Sequence, residues 1–354
     1  MSSTASFFVS KALNALLVIF LTVLIASIAF NYLHEKEAWG RVYDLVESDV
    51  RRFIQENPRA TAEDVENYRH YRESFWIKFY GLDQPVAYRI VMASLKTFTM
   101  DFGEARILYT AYGHTKDART IILVAMGRTA VLFTTATLLN IALGVLLGVF
   151  VASRAGGIID KTVGVVAMIT NAMPLYWFGA LMIWLLAYTL GWFPAASWRP
   201  IPPHVSENLL ELIKWFAWHM FIPIVTMLIL GVFGWAWSIR AVVVDKYTEE
   251  FVVALRAKGL PENYIRYKHV LRAALPPVVT MAVLSITGSL FGAIVSEVIF
   301  QWPGMGMLYY TALRNSDTVM VLADTYAFVV LFVIVKLLLD LVYGLLDPRV
   351  RIRR

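Results

Sequence analysis

Apolar residues along this chain gather into long runs instead of alternating or recurring at amphipathic spacing. Six runs, at 7–30, 129–152, 163–190, 216–244, 277–300 and 321–346, have the length of about 20 predominantly apolar residues that a helix needs to cross a hydrocarbon core of about 30 Å. Each is read as a membrane-spanning helix. Pro174 and Pro223 fall inside two of them, which such helices tolerate when neighbouring groups satisfy the freed backbone. The first run contains Ser27-Ile28-Ala29, a small-residue pattern like a signal cleavage site. It is longer than a signal core, however, and only Lys11 precedes it as a base, so it is read as a retained first helix.

Two polar stretches separate the runs. Residues 31–128 show helical spacing at Trp39, Val42, Leu45, Val46, Val50 and Phe53 up to Pro58. Thr61-Ala62-Glu63-Asp64 has the form of a capping box opening a second helix, and a third begins near Gln84-Pro85. The segment reads as a mostly helical insertion, either a cap on the membrane part or a docking platform. Residues 245–276 read as two short helices parted by Gly259-Leu260-Pro261, with Gly suited to a helix end and Pro to the next start. Ala254 and Ala257 are small enough for another surface to approach closely, with Arg256 and Lys258 beside them; the plainer reading is an ordinary interfacial helix pair. The expected organisation is therefore an all-α polytopic membrane protein: a tail and first helix (1–30), an external insertion (31–128) and a five-helix core (129–354) carrying the loop 245–276.

Composition agrees with lipid as the solvent, since 58% of residues are hydrophobic and 16% charged, against about 45–50% and about 25% in soluble domains. The chain has no cysteine, which removes thiol catalysis, disulfides and Cys-based zinc sites. The net charge of +6 is distributed unevenly. The segments 1–11, 153–162, 245–276 and 347–354 hold thirteen Lys and Arg, whereas 191–215 and 301–320 hold Arg199, Lys214 and Arg314. Positive residues resist translocation, so the first group is assigned to the cytoplasm, with both termini, and 31–128 to the outside. The excess charge then faces anionic lipid headgroups; nothing in the pattern resembles a nucleic-acid stripe.

Glu250-Phe251-Val252-Val253-Ala254-Leu255-Arg256-Ala257-Lys258-Gly259, followed by His269-Val270-Leu271-Arg272-Ala273-Ala274-Leu275-Pro276, resembles the EAA-type coupling loop of bacterial ABC importer permeases of the dipeptide/oligopeptide family. Gly81-Leu82-Asp83-Gln84-Pro85, Leu190-Gly191-Trp192-Phe193-Pro194-Ala195, Glu297-Val298-Ile299-Phe300-Gln301-Trp302-Pro303-Gly304-Met305-Gly306 and Leu345-Leu346-Asp347-Pro348-Arg349 are similar to that family's recurring stretches, in the same order. The chain departs from the family in its beginning. Lys11 stands nearly alone where a basic pair is usual, Asn31-Tyr32-Leu33-His34-Glu35 replaces a Pro-Gly-Asp-Pro-like turn, and 35–80 is enlarged.

The resemblance implies a subunit of the bacterial inner membrane that forms half of a translocation pathway with a second homologous permease. It further implies two cytoplasmic ATPase subunits that bind ATP and Mg, and an external substrate-binding protein. Glu250, Ala254, Arg256, Ala257, Lys258 and Gly259 would couple to the ATPase, transmitting its closure as a rigid-body movement. The chain itself has no Gly-x-x-x-x-Gly-Lys-Ser/Thr phosphate loop. Oligopeptides or dipeptides are the implied cargo, with oligosaccharides or nickel chelates as alternatives in the same machine. A secondary transporter or channel is the alternative of a different class, although no inverted repeat with matching broken helices is visible.

Charges within spanning runs are costly and point to function. Glu297, just before the Trp302-Pro303-Gly304 turn, is a pathway or outer-gate candidate, or else a hydrogen-bonded structural acid. Lys336 and Asp340 are spaced to pair on the last helix, and Arg240 and Asp324 near helix ends need no special role. None of the six histidines stands in a His-Glu-x-x-His arrangement, so no metal site is expected. Gly144-x-x-x-Gly148 and Gly288-x-x-x-Gly292 permit close helix contacts. Trp235 and Trp237 suit either a pathway lining or interfacial anchoring.

Overall fold

The computed structural model describes residues 3–33, 35–290 and 292–346, and side chains at 13–30, 35, 38–290 and 292–337. It falls into two compact units, Met1–Ile122 with Tyr309–Val333 and Leu123–Leu308 with Ile334–Arg354. Two of the long helices, α5 and α16 below, each run from one unit into the other.

In the first unit α1 (Ser3–Leu33), α2 (Glu35–Glu56), α3 (Ala62–Phe79) and α4 (Val86–Phe98) follow one another. Val42, Val46 and Val50 are buried against Val65, Tyr68, Trp76 and Ile77, joining α2 to α3. Asp49 accepts from Arg72 at 2.6 Å and from the Trp76 indole at 2.8 Å, and Arg69 pairs with Glu47. Thr61 caps α3 as its sequence indicates: its hydroxyl accepts from the Asp64 N–H at 3.2 Å, and the Asp64 carboxylate accepts from the Thr61 N–H at 2.9 Å. Ile19 and Val23 of α1 bury against Tyr326, Phe98 and Phe102. The insertion is not wholly helical. β1 (Glu104–Tyr109) and β2 (Thr115–Asp117) form an antiparallel hairpin with an irregularity between the pairs Glu104↔Asp117 and Tyr109↔Thr115. Six β1 residues with mixed burial offer no clean alternation from which to read a strand. Arg106 holds the hairpin in place, its N–H donating to Asp317 at 2.8 Å and its guanidinium to the Ser316 carbonyl at 3.0 Å.

The second unit contains most of α5 (Ala118–Ala152), then α6 (Ile158–Ala172), α7 (Leu175–Ile183) with a π turn to Thr189, α8 (Pro203–Ser206), α9 (Leu209–His219), α10 (Phe221–Tyr247) and α11 (Glu250–Ala257). It continues with α12 (Glu262–Tyr264), a π turn Ile265–Val270, α13 (Leu271–Ser289), α14 (Ile294–Phe300) and the first residues of α15 (Met305–Arg314); α16 (Thr318–Leu346) closes the chain. Among the described residues five helices are long and apolar enough to span a membrane, and the pair α6–α7, bent by 94°, counts as a sixth.

Three expectations change. The run 163–190 is bent at Met173-Pro174, because Pro174 begins α7 with extended dihedrals (φ −64°, ψ 130°) and Gly179 lets α7 lie close against the Phe300 ring. The run 277–300 is two helices, and the spanning one is Glu262–Ser289. The second "short helix" of the 245–276 loop is therefore its beginning. Pro276 and Pro277 lie inside α13 and do not start it. Finally, the helix assigned to 129–152 begins at Ala118; residues 121–126 are apolar too, but Gly127 and Arg128 separate them from the run that follows. Pro223, by contrast, sits in the first turn of α10, where a missing N–H costs nothing.

α10 is the hub of this unit. Gly144 and Gly148 of α5 press on it: a Cβ on Gly144 would collide with Trp235, and one on Gly148 would stand 2.6 Å from the Ala236 carbonyl oxygen. This pair does allow close helix contact, whereas Gly288 faces open space and Gly292 lies beyond the end of α13. Arg240, for which the sequence suggested no role, forms a two-pronged ion pair with the buried Asp160 of α6 at 2.7 and 2.6 Å. The Gly156 N–H also donates to Asp160 at 2.8 Å. Asp340, Lys11 and 347–354 lie outside the described side chains, as does any Lys336–Asp340 pairing.

Candidate coupling helix and outer turn

α11 is amphipathic and lodged at the ends of three longer helices. Val252 is fully buried, with Phe251 and Leu255 beside it, against Val149 and Ala152 of α5, Val243 of α10 and Ile265, Val270 and Ala274 farther on. Burying a Val or Leu contributes about 1.5–3 kcal/mol, enough for a helix of two turns to be held by its partners, since its own length could not sustain it. The opposite face is bare. Glu250, Ala254, Arg256, Ala257, Lys258 and Gly259 are all exposed, as is Val253.

The helix ends in a Schellman turn. The Leu260 N–H donates to the Leu255 carbonyl at 3.3 Å and the Gly259 N–H to that of Arg256 at 2.9 Å, while Gly259 takes φ +74° and Leu260 tucks into the same apolar cluster. Arg256 then reaches across the turn to Glu262 at 2.6 Å. That carboxylate raises the Arg256 pKa above its ordinary value. The six residues singled out from sequence thus share one rigid, solvent-facing ridge that carries small side chains at its middle and a fixed cation at its end.

The second constellation is built around Glu297 in α14. Its carboxylate is fully buried and accepts from the Thr129 hydroxyl at 2.8 Å and the Met307 N–H at 3.0 Å. The Thr129 oxygen accepts in turn from the Met305 N–H at 2.9 Å. Between them Glu297 and Thr129 cap the start of α15, where free N–H groups favour an anion. Trp302, also fully buried, donates from its indole to the Arg128 carbonyl at 3.0 Å, and Arg128 stacks over Trp198 at 3.8 Å. Gly304 lies so close to the Thr129 hydroxyl and the Glu297 carboxylate that a Cβ has no room, and Pro303 closes the turn between Trp302 and Gly304. Glu297, Trp302, Pro303 and Gly304 therefore sit together as a hydrogen-bonded turn. Sequence reasoning missed Thr129 and Arg128, whose only local signal is their place at the head of an apolar run.

A protein-family model described as the binding-protein-dependent transport system inner membrane component matches residues 144–352, a stretch that contains α11 and the 297–307 part of the second constellation, with Arg128 and Thr129 lying before it. The chain belongs to this family. The permease is also similar to the oligopeptide transport system permease protein AppB of Bacillus subtilis, 29% identical over 279 residues that make up 79% of this chain and 84% of the relative. It is similar to the dipeptide transport system permease protein DppB of Lactococcus lactis, 26% identical over 84% of this chain and 88% of the relative. The DppB of Escherichia coli is 29% identical over 59% of this chain and 66% of the relative. The permease is thus a multi-pass inner-membrane component of a transporter that works with a binding protein. The family match begins at Gly144, so α1–α4 and the β-hairpin lie outside it.

Proposed function

We propose that this permease imports peptides, forming half of the pathway with a second homologous permease and drawing its work from two cytoplasmic ATPase subunits, with an external binding protein delivering the substrate. The observation that carries this reading is α11: a short helix whose apolar side is locked into the ends of α5, α10 and α13 while its ridge of small and basic residues is left bare. Such a helix moves with the spanning helices it packs on, so a push on its ridge becomes a displacement of the core. Peptide cargo is supported by the relatives named above, which are oligopeptide and dipeptide permeases. Both termini and 245–276 are assigned to the cytoplasm by the base count.

The test is to purify the intact complex and identify which copurifying binding protein, with which ligand, stimulates its ATPase; stimulation by peptide-loaded protein is the expected result. The chain by itself should neither bind nor hydrolyse ATP, because it has no phosphate loop. Mutation-sensitive hydrolysis by the isolated subunit would overturn that part.

A further inference from the structure

A cavity of about 510 Å³ opens between α6, α10 and α13 within the second unit. Asn171, Ser238 and Ser285 supply its polar lining, and Trp235, Met281 and Leu284 its apolar lining. Gly231 and Gly234 bring the α10 backbone to the wall, with the Asn140 amide 2.5 Å and the Asn171 amide 3.1 Å from where their respective Cβ atoms would be. All three helices belong to spans. Ser238 donates to the Gly234 carbonyl of its own helix at 3.0 Å, but the side chains of Asn171 and Ser285 make no hydrogen bond among the described residues. A carboxamide and a hydroxyl turned toward hydrocarbon with no partner are costly, so polar side chains inside spans face the bundle interior or a water-filled cavity. No charged residue lines the cavity among the described residues.

We infer that this cavity is a wetted part of the translocation pathway and takes the main chain of a peptide through the neutral groups of Asn171, Ser238 and Ser285. A peptide bond offers one donor and one acceptor, which a carboxamide and two hydroxyls match. Met281 and Trp235 give an adaptable apolar surface for varied side chains, and with no fixed charge the wall does not select among acidic, basic and neutral peptides. The volume lies within the about 300–1,000 Å³ of small-ligand sites. The substrate in this inference rests on the peptide-importer reading above.

The test uses the complete transporter, with its ATPase and binding protein, in vesicles. Because this chain has no cysteine, Ser238→Cys and Ser285→Cys can be introduced singly and treated with a charged, membrane-impermeant thiol reagent, with labelling of this chain read by mass spectrometry. Leu146→Cys, exposed on α5, is the comparison. Both serine replacements should label faster than Leu146→Cys and be protected by saturating trialanine. Asn171→Leu should lower trialanine uptake about tenfold at limiting peptide, as expected for losing one or two hydrogen bonds, and should leave the relative uptake of acidic, basic and neutral tripeptides unchanged. If the unmodified transporter takes up trialanine while Ser238→Cys and Ser285→Cys label no faster than Leu146→Cys, or are not protected, the inference is overturned; burial under the second subunit would give that result. If the unmodified transporter takes up no peptide, the functional reading falls instead, and labelling above the comparison would keep the wetted wall while removing peptide as its occupant.

Discussion

Gly259 adopts φ +74° with nothing within 4 Å of the place a Cβ would take, so its requirement is for backbone handedness and not for space. A Cβ in the left-handed region costs about 1–2 kcal/mol, and a β-branched side chain is worse placed there than Asn, which tolerates it. Gly259→Val should therefore loosen the end of α11 and reduce ATPase association and transport, with membrane insertion unchanged, while Gly259→Asn keeps most of both. Copurification of the ATPase and uptake assays check this, and wild-type transport by Gly259→Val would remove the turn from the mechanism. Gly304 shows the opposite need. Its backbone is pressed against Thr129 and Glu297, so Gly304→Ala overpacks a buried site at a cost of about 1–3 kcal/mol. The purified protein should melt at a lower temperature, and Thr129→Ser, which keeps the hydroxyl, should not show that loss.

At the scale of elements, α6 meets α10 through apolar packing of Val163 beside Ala236, a close approach of Gly164 to the Trp237 ring and one ion pair. Asp160 is buried and accepts both prongs of Arg240 as well as the Gly156 N–H. Removing one partner of such a pair leaves a buried charge uncompensated, at about 3–5 kcal/mol. Arg240→Ala should fall toward the lower end, since Arg240 is partly exposed. Adding Asp160→Asn should recover part of the lost stability because the orphaned charge is gone. Thermal denaturation of the two variants in detergent measures this, and equal losses in the single and double variants would mean that an orphaned Asp160 charge is not the source of the loss. The same reasoning explains why α11 is steady despite its eight residues: its order comes from Val252 and Leu255 docking on α5, α10 and α13.

For the molecule as a whole, sidedness is the most direct test. Ser48 on α2 and Asn263 on α12 are both exposed. Ser48→Cys should react with an impermeant thiol reagent only from outside, and Asn263→Cys only from the cytoplasm; the reverse would invert the topology. Much of this organisation is set by the sequence alone. Spanning runs are legible because lipid obliges each backbone to satisfy its own hydrogen bonds in a helix, whatever its neighbours. The Thr61 capping box and the left-handed Gly259 are legible because both are settled within a few residues. The bend at Pro174 was not, since a proline permits a mild kink or a 94° turn, and only the close approach of Gly179 to Phe300 selects the turn. Nor could the sequence show that Thr129 meets Glu297, 168 residues away, or that Arg240 meets Asp160, 80 residues away. A buried carboxylate must find donors, but the chain states only the need; which hydroxyl or guanidinium answers it is decided when the helices pack.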